Sequence, residues 1–182
     1  MKGCRIVTGM LVAGLVAGLL ETAFPGAAAS DTAGALVQAV GPIGMTVSDM
    51  DRSIEFYSRV LTFEKLSDVE LAGPEIERLQ GVFGARARVV RMRLGDEQIE
   101  LTEYLAPRDG RLMPPDEKAN DLVHWQTRLV AGDLEAAEDA LRRHHVPHLS
   151  PGVVALPDGK LGFPRGVRVR DPDGHVMEVV TR

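Results

Sequence analysis

The chain has 182 residues, 45% of them apolar and 26% charged, with a net charge of −5. That balance excludes a disordered or fibrous chain. The negative charge, with no Lys/Arg run carrying interleaved aromatics, speaks against a nucleic-acid surface.

Lys2 and Arg5 precede an apolar run from Ile6 to about Leu20, followed by Pro25-Gly26 and Ala27-Ala28-Ala29. A charged start, an apolar middle and an A-x-A end make the plan of a secretory signal peptide. The run is short for a membrane span, which needs about twenty residues. We expect residues 1–29 to be a cleaved signal. The mature chain would then be periplasmic or secreted, with no membrane attachment after cleavage. The single cysteine, Cys4, lies ahead of the run, so the cleaved chain would carry no thiol chemistry or disulfide.

Residues 30–39 read as a flexible leader and 40–182 as one domain. Ile43–Val47 has the character of a short strand that runs into Ser48-Asp49-Met50-Asp51, a helix start with Ser48 or Asp49 as N-cap. Met50, Ile54, Phe56, Tyr57, Val60 and Leu61 then follow at mostly helical spacing. Strand signals come next at Phe63–Val69, Ala87–Leu94 and Gln98–Tyr104, the last two joined by Gly95-Asp96-Glu97. Between the first and second of these, Pro74 fits the first turn of a short helix.

The pattern then repeats. Trp125–Ala131 reads as a strand, Asp133 stands before a second helix as Asp49 stands before the first, and strand signals return at His148–Val154, Val167–Asp171 and His175–Thr181. Pro172-Asp173-Gly174 joins the last pair. Two copies of one unit, each too small to bury its own face, are expected to share a core. Module one spans 40–105, a Pro-, Gly- and charge-rich linker 106–119, and module two 120–182. The fold class is α+β, with helices outside a curved sheet.

The segment Met45-Thr46-Val47-Ser48-Asp49-Met50-Asp51-Arg52-Ser53-Ile54-Glu55-Phe56-Tyr57 resembles the opening of a glyoxalase/bleomycin-resistance/extradiol-dioxygenase domain, of the vicinal-oxygen-chelate (VOC) type. Ile99-Glu100-Leu101 is similar to the close of its first module, and Asp171-Pro172-Asp173-Gly174-His175-Val176-Met177-Glu178 to the close of its second. The resemblance implies two βαβββ modules whose mixed or antiparallel sheet curves around a shared cavity. It also implies a small-molecule ligand and a homodimer. Thr62 stands where such domains usually place Gly after the first helix. Thr is strained at positive φ, so a local difference is expected at that helix end.

The resemblance further implies one divalent ion, Zn, Ni, Fe or Mn, held by two strands of each module. The four positions are Pro42, Glu100, Gln126 and Glu178. Pro42 offers no donor, which makes the metal site degenerate. His124 shares a strand face with Gln126 and Arg128; it could replace the lost imidazole, stand at the pocket rim, or act as acid or base without a metal. The candidate metal ligands are Glu100, Gln126, Glu178 and His124, and the candidate catalytic groups Glu100, Glu178 and His124. Alternation adds Thr46, Thr102, Tyr104 and Arg128 as substrate-facing, with Arg128 expected to pair with a pocket glutamate or an anionic ligand. His144, His145 and His148 read as favourable charge at a helix end, and Trp125 as core. Two functions follow: a metal-dependent lyase, isomerase or dioxygenase acting on a small oxygenated molecule, or a metal-free protein that binds a drug or toxin.

Overall fold

The computed structural model describes residues 36–182; the expected signal, residues 1–29, lies outside them. Eight strands and three helices run in the order β1 (Ile43–Thr46), α1 (Met50–Arg59), β2 (Glu64–Ala72), α2 (Pro74–Gln80), β3 (Arg86–Leu94), β4 (Glu97–Ala106), β5 (Gln126–Val130), α3 (Leu134–Arg143), β6 (Val154–Ala155), β7 (Arg165–Arg170) and β8 (Val176–Val180). They form two four-stranded sheets of matching topology, β1-β4-β3-β2 and β5-β8-β7-β6. In each, the first strand pairs in parallel with the last and the remaining pairs are antiparallel. This is the expected pair of βαβββ modules. Among the described residues no helix is long and apolar enough to cross a membrane.

The repeat is exact at the helix starts. Asp49 accepts a hydrogen bond from the Arg52 amide at 3.0 Å, and Asp133 from the Ala136 amide at 2.9 Å. Each carboxylate satisfies a donor that the first helical turn would leave unpaired. Behind them, Met50, Phe56 and Tyr57 of α1 and Leu134 and Leu141 of α3 are buried with Val90, Met92, Ile99 and Leu101 of one sheet and Val167, Val169, Met177 and Val179 of the other, in one apolar cluster. The odd-numbered residues of β4 and β8 thus face the helices, which leaves Glu100 and Glu178 on the opposite face of each strand.

The closing turn of module two docks on the first helix of module one. Ser48 donates from both its amide and its hydroxyl to Asp173, and the Arg52 guanidinium donates to the Pro172 carbonyl at 2.8 Å. The DPDG sequence therefore both turns the chain and joins the modules.

Three local expectations are corrected. Thr62 does adopt the positive φ, 60°, so the end of α1 keeps the glycine-type geometry. It is held there because the Phe63 amide returns to the Tyr57 carbonyl at 2.9 Å and the two rings meet edge to face. The strand expected over His148–Val154 is reduced to Val154–Ala155 and a single bridge from His148 to Val169. Pro147 and Pro151 remove ladder donors there, and Ser150 supplies its hydroxyl to the Arg168 amide instead. Trp125 is 66% exposed rather than core. Strand β5 starts only at Gln126, so alternation does not extend back to it.

Candidate functional site

Glu178 stands on β8 between two arginines, Arg128 across the parallel pair with β5 and Arg168 across the antiparallel pair with β7. Its Oε2 accepts from Arg128 Nε at 2.8 Å; its Oε1 accepts from Arg168 Nε and Nη2 at 2.9 and 2.7 Å. The Glu178 side chain is only 4% exposed. Burial alone would raise its pKa, but the two guanidinium hydrogen bonds and charges outweigh that and hold the carboxyl below its ordinary value. Arg128 also lies over the Phe163 ring, 4.6 Å from its centroid, a favourable cation–π placement.

The same register recurs in module one. Glu100 stands on β4 between Gly44 on β1 and Arg91 on β3. Its Oε2 accepts from Arg91 Nε at 2.8 Å. Gly44 occupies the place of Arg128, and a side chain added there would meet nothing within 4 Å. Glu100 therefore has one arginine and an open flank where Glu178 has two arginines.

A cavity of about 190 Å³ opens over β7 and β8, lined by Val154, Leu156, Leu161 and Phe163 on its walls, with Arg168 and Glu178 as its charged groups. Gly166 belongs to its floor, where a Cβ would come within 3.2 Å of Phe163 and 3.1 Å of Val180.

His124 is not on the strand. Its amide closes a turn onto the Asp121 carbonyl, so the face-sharing argument that put it beside Gln126 and Arg128 fails. Its Nδ1 bonds to Glu117 of the linker. Glu117 in turn accepts from Arg170 Nη2 at 2.6 Å, and Arg170 Nη1 donates to the Gly174 carbonyl at 2.8 Å. Glu117 is buried, which would raise its pKa, yet the bonds from Arg170 and His124 carry it below its ordinary value. The cluster fastens the linker to the closing turn of module two.

Of the remaining candidates, Tyr104 donates its hydroxyl to Gln80 of α2 at 3.1 Å. Thr46 and Thr102 face one another across the β1–β4 pair. Gln126 is half-buried at the start of β5. Sequence reasoning missed Arg168 and Arg170 on β7 and Glu117 in the linker. Alternation along β7, with Val167 and Val169 in the core, gives the face of Arg168 but not its partner.

The donor set does not fit a divalent ion. Pro42 has no donor atom, both Glu178 oxygens are engaged by guanidiniums, Glu100 is paired with Arg91, and His124 is turned to Glu117. Among the described residues no group of three or more His, Cys, Asp or Glu side chains is placed to hold a metal.

Comparison with known proteins agrees with this architecture. A glyoxalase family protein from Bacillus cereus superposes with a TM-score of 0.69 at 16% identity, covering 80% of this chain and 94% of that one. The trypanothione-dependent glyoxalase I of Leishmania major does so at 0.55 and 20% identity, covering 80% and 87%. These likenesses concern the fold. In sequence, the chain is 28% identical over 146 residues to a 2-epi-5-epi-valiolone epimerase from Actinomyces sp, covering 78% of each. The sequence model of the Glyoxalase/Bleomycin resistance protein/Dioxygenase superfamily matches residues 39–179, so the chain belongs to that superfamily.

Proposed function

We propose that the chain binds a small oxygenated molecule in the cavity over β7 and β8 and acts on it by isomerase- or lyase-type chemistry. The observation that carries this reading is the cavity itself: apolar walls from Val154, Leu156, Leu161 and Phe163 around one fixed polar cluster. Small-molecule sites have that make-up, with apolar surface for affinity and a few polar groups for orientation. The likeness to an epimerase supports the isomerase class. Members of the superfamily commonly use a divalent metal and often dimerise. A metal-dependent reaction here would first require Glu178 to release both arginines. Glu100, the other candidate carboxylate, stands on β4 and does not line this cavity.

A second reading, binding without turnover, is favoured by a specific observation. Among the described residues the only carboxylate lining the cavity is Glu178, and both its oxygens are held. A thermal-shift screen of small ketones, hydroxy acids and cyclic polyols, run in the presence of a chelator, separates the readings. Stabilising compounds would then be incubated with the protein in deuterated water and followed by proton NMR. Deuterium uptake at carbon beside a carbonyl supports isomerase chemistry, and a bound but unexchanged compound supports sequestration. The absence of any stabilising compound would overturn the cavity as a functional site.

Export and dimerisation belong to the same proposal. The charged, apolar and small-residue succession of residues 1–29 supports export. It predicts a secreted chain beginning near Ser30, read by N-terminal sequencing. Sedimentation of the purified protein tests the dimer.

A further inference from the structure

We propose that the ligand of this cavity is a small monocarboxylate with a compact apolar body, anchored by Arg128 and Arg168. The inference rests on the reading of the cavity as the small-molecule site and names the class of molecule that it takes.

The charge around Glu178 does not balance. One carboxylate accepts from two guanidiniums, which leaves one positive charge in excess. Among the described residues neither arginine has another carboxylate partner: Arg128 ion-pairs only with Glu178, and so does Arg168. The remaining contacts of the Arg128 guanidinium are a long approach to the Leu161 carbonyl at 3.5 Å and the face of Phe163. Donor groups are left over as well. Arg128 Nη2 and Arg168 Nη1 have no acceptor among the described residues, and the two side chains remain 45% and 33% exposed. An arginine whose charge is uncompensated beside apolar surface is a site for an anion.

Module one supplies an internal control. There the same ladder position pairs Glu100 with Arg91 alone, and Gly44 stands where Arg128 stands. One arginine there neutralises a glutamate that is 32% exposed. The second arginine, in module two only, adds a positive charge beyond the one that neutralises Glu178 and stands against Phe163 and Leu161 of the apolar cavity.

The chemistry of the anion follows from the same groups. An excess of one positive charge matches a monoanion. A planar guanidinium donates in parallel to the two oxygens of a carboxylate. Val154, Leu156, Leu161 and Phe163 offer nothing to a fully hydrated ion such as phosphate and favour an apolar body behind the carboxylate. The volume, about 190 Å³, lies below the range of about 300–1,000 Å³ common for larger ligands and keeps that body small.

The test is calorimetric titration of the full-length protein with benzoate, benzamide and inorganic phosphate, repeated on Arg128→Gln and Arg165→Gln. Arg165 carries the same charge on β7 but is paired with Glu135 on α3. The expected result is one benzoate per chain, with benzamide and phosphate each at least tenfold weaker. Arg128→Gln should lose at least tenfold in benzoate affinity, and Arg165→Gln should bind as the parent does. Arg128→Lys separates charge from shape and should fall between parent and Gln. Equal binding of benzamide and benzoate would overturn the monocarboxylate while leaving the small-molecule cavity standing. Full benzoate affinity in Arg128→Gln would overturn the anchor, as would phosphate binding more tightly than benzoate. No binding of any probe would overturn the inference, and the broader ligand screen would still judge the cavity.

Discussion

The Tyr57 hydroxyl donates to Asp171 Oδ2 at 3.0 Å, tying the first helix of one module to the closing turn of the other. Burial, and next the Asp171 charge, hold the Tyr57 hydroxyl well above its ordinary pKa, so it remains a donor throughout the useful pH range. The Asp171 carboxylate is fully buried and also accepts from the Asp173 and His175 amides at 2.9 and 2.8 Å. Tyr57→Phe removes the hydroxyl and keeps the ring packing. Since Asp171 retains its other donors, the expected loss is about 1–2 kcal/mol, read as a lower urea midpoint with an unchanged slope. An unchanged midpoint would show that the modules do not depend on this bond.

The same carboxylate makes part of the stability pH-dependent. His175 Nδ1 lies 2.8 Å from Asp171 Oδ2. Burial pulls the imidazole pKa down, but the Asp171 hydrogen bond and charge outweigh it and the net shift is upward. A group raised on folding contributes stability that is complete below its unfolded value, about 6.5, and is lost as pH rises through the higher folded value. His175→Gln should therefore lower the melting temperature most near pH 5.5, with the gap from the parent narrowing toward pH 9. A gap that widened with pH would contradict the upward shift.

Thr62 at φ 60° is a second point of leverage. Left-handed backbone costs a side-chain-bearing residue about 1–2 kcal/mol, and Gly at the same place gives back roughly half of that through its looser unfolded state. Thr62→Gly should then stabilise by up to about 1 kcal/mol, or about 2–4 °C for a domain of this size, by differential scanning calorimetry. A destabilised variant would mean that the Thr62 side chain makes contacts that outweigh its backbone strain.

How much of this was legible in the sequence depends on the range of the cause. Asp49 and Asp133 as caps, Pro74 at the start of α2 and the DPDG turn follow from local backbone chemistry, and local chemistry is written in neighbouring residues. Glu100 and Glu178 followed from the resemblance of their strands to the family's closing strands, and alternation, which needs only a strand, then placed Thr102 and Tyr104 beside Glu100. The pairing of Arg128 with a pocket glutamate was expected, and it is Glu178; Arg91 and Arg168 did not follow, because they reach the carboxylates across the ladder and only the register decides that pairing. His124 and Trp125 were misplaced for one reason: strand alternation was carried back past Gln126, whereas a turn through Asp121 delays the strand to Gln126. Glu117 was invisible because a charge-rich linker does not announce which of its charges is buried.

The contrast between Glu178 and Glu100 gives the sharpest stability test of the site. If Glu178 is a buried partner of two guanidiniums, replacing it with Gln strands both arginines on a half-buried surface. Removing one partner of a fully buried ion pair costs about 3–5 kcal/mol; the partial exposure of Arg128 and Arg168 brings the expected loss to roughly 1–3 kcal/mol. Glu100→Gln breaks one more exposed pair and should cost less than about 1 kcal/mol. Both are read by urea denaturation with a chelator present throughout, so that any loss belongs to the protein's own contacts. Equal losses would mean that the second arginine adds nothing to the folded state. A loss at Glu178 that appears only when zinc, nickel or manganese is supplied, and vanishes under chelation, would mean that its carboxylate leaves the arginines for a metal. The geometry argues the reverse. Two guanidiniums already neutralise and hydrogen-bond this carboxylate, and an incoming dication would have to displace both while leaving them unpaired beside it.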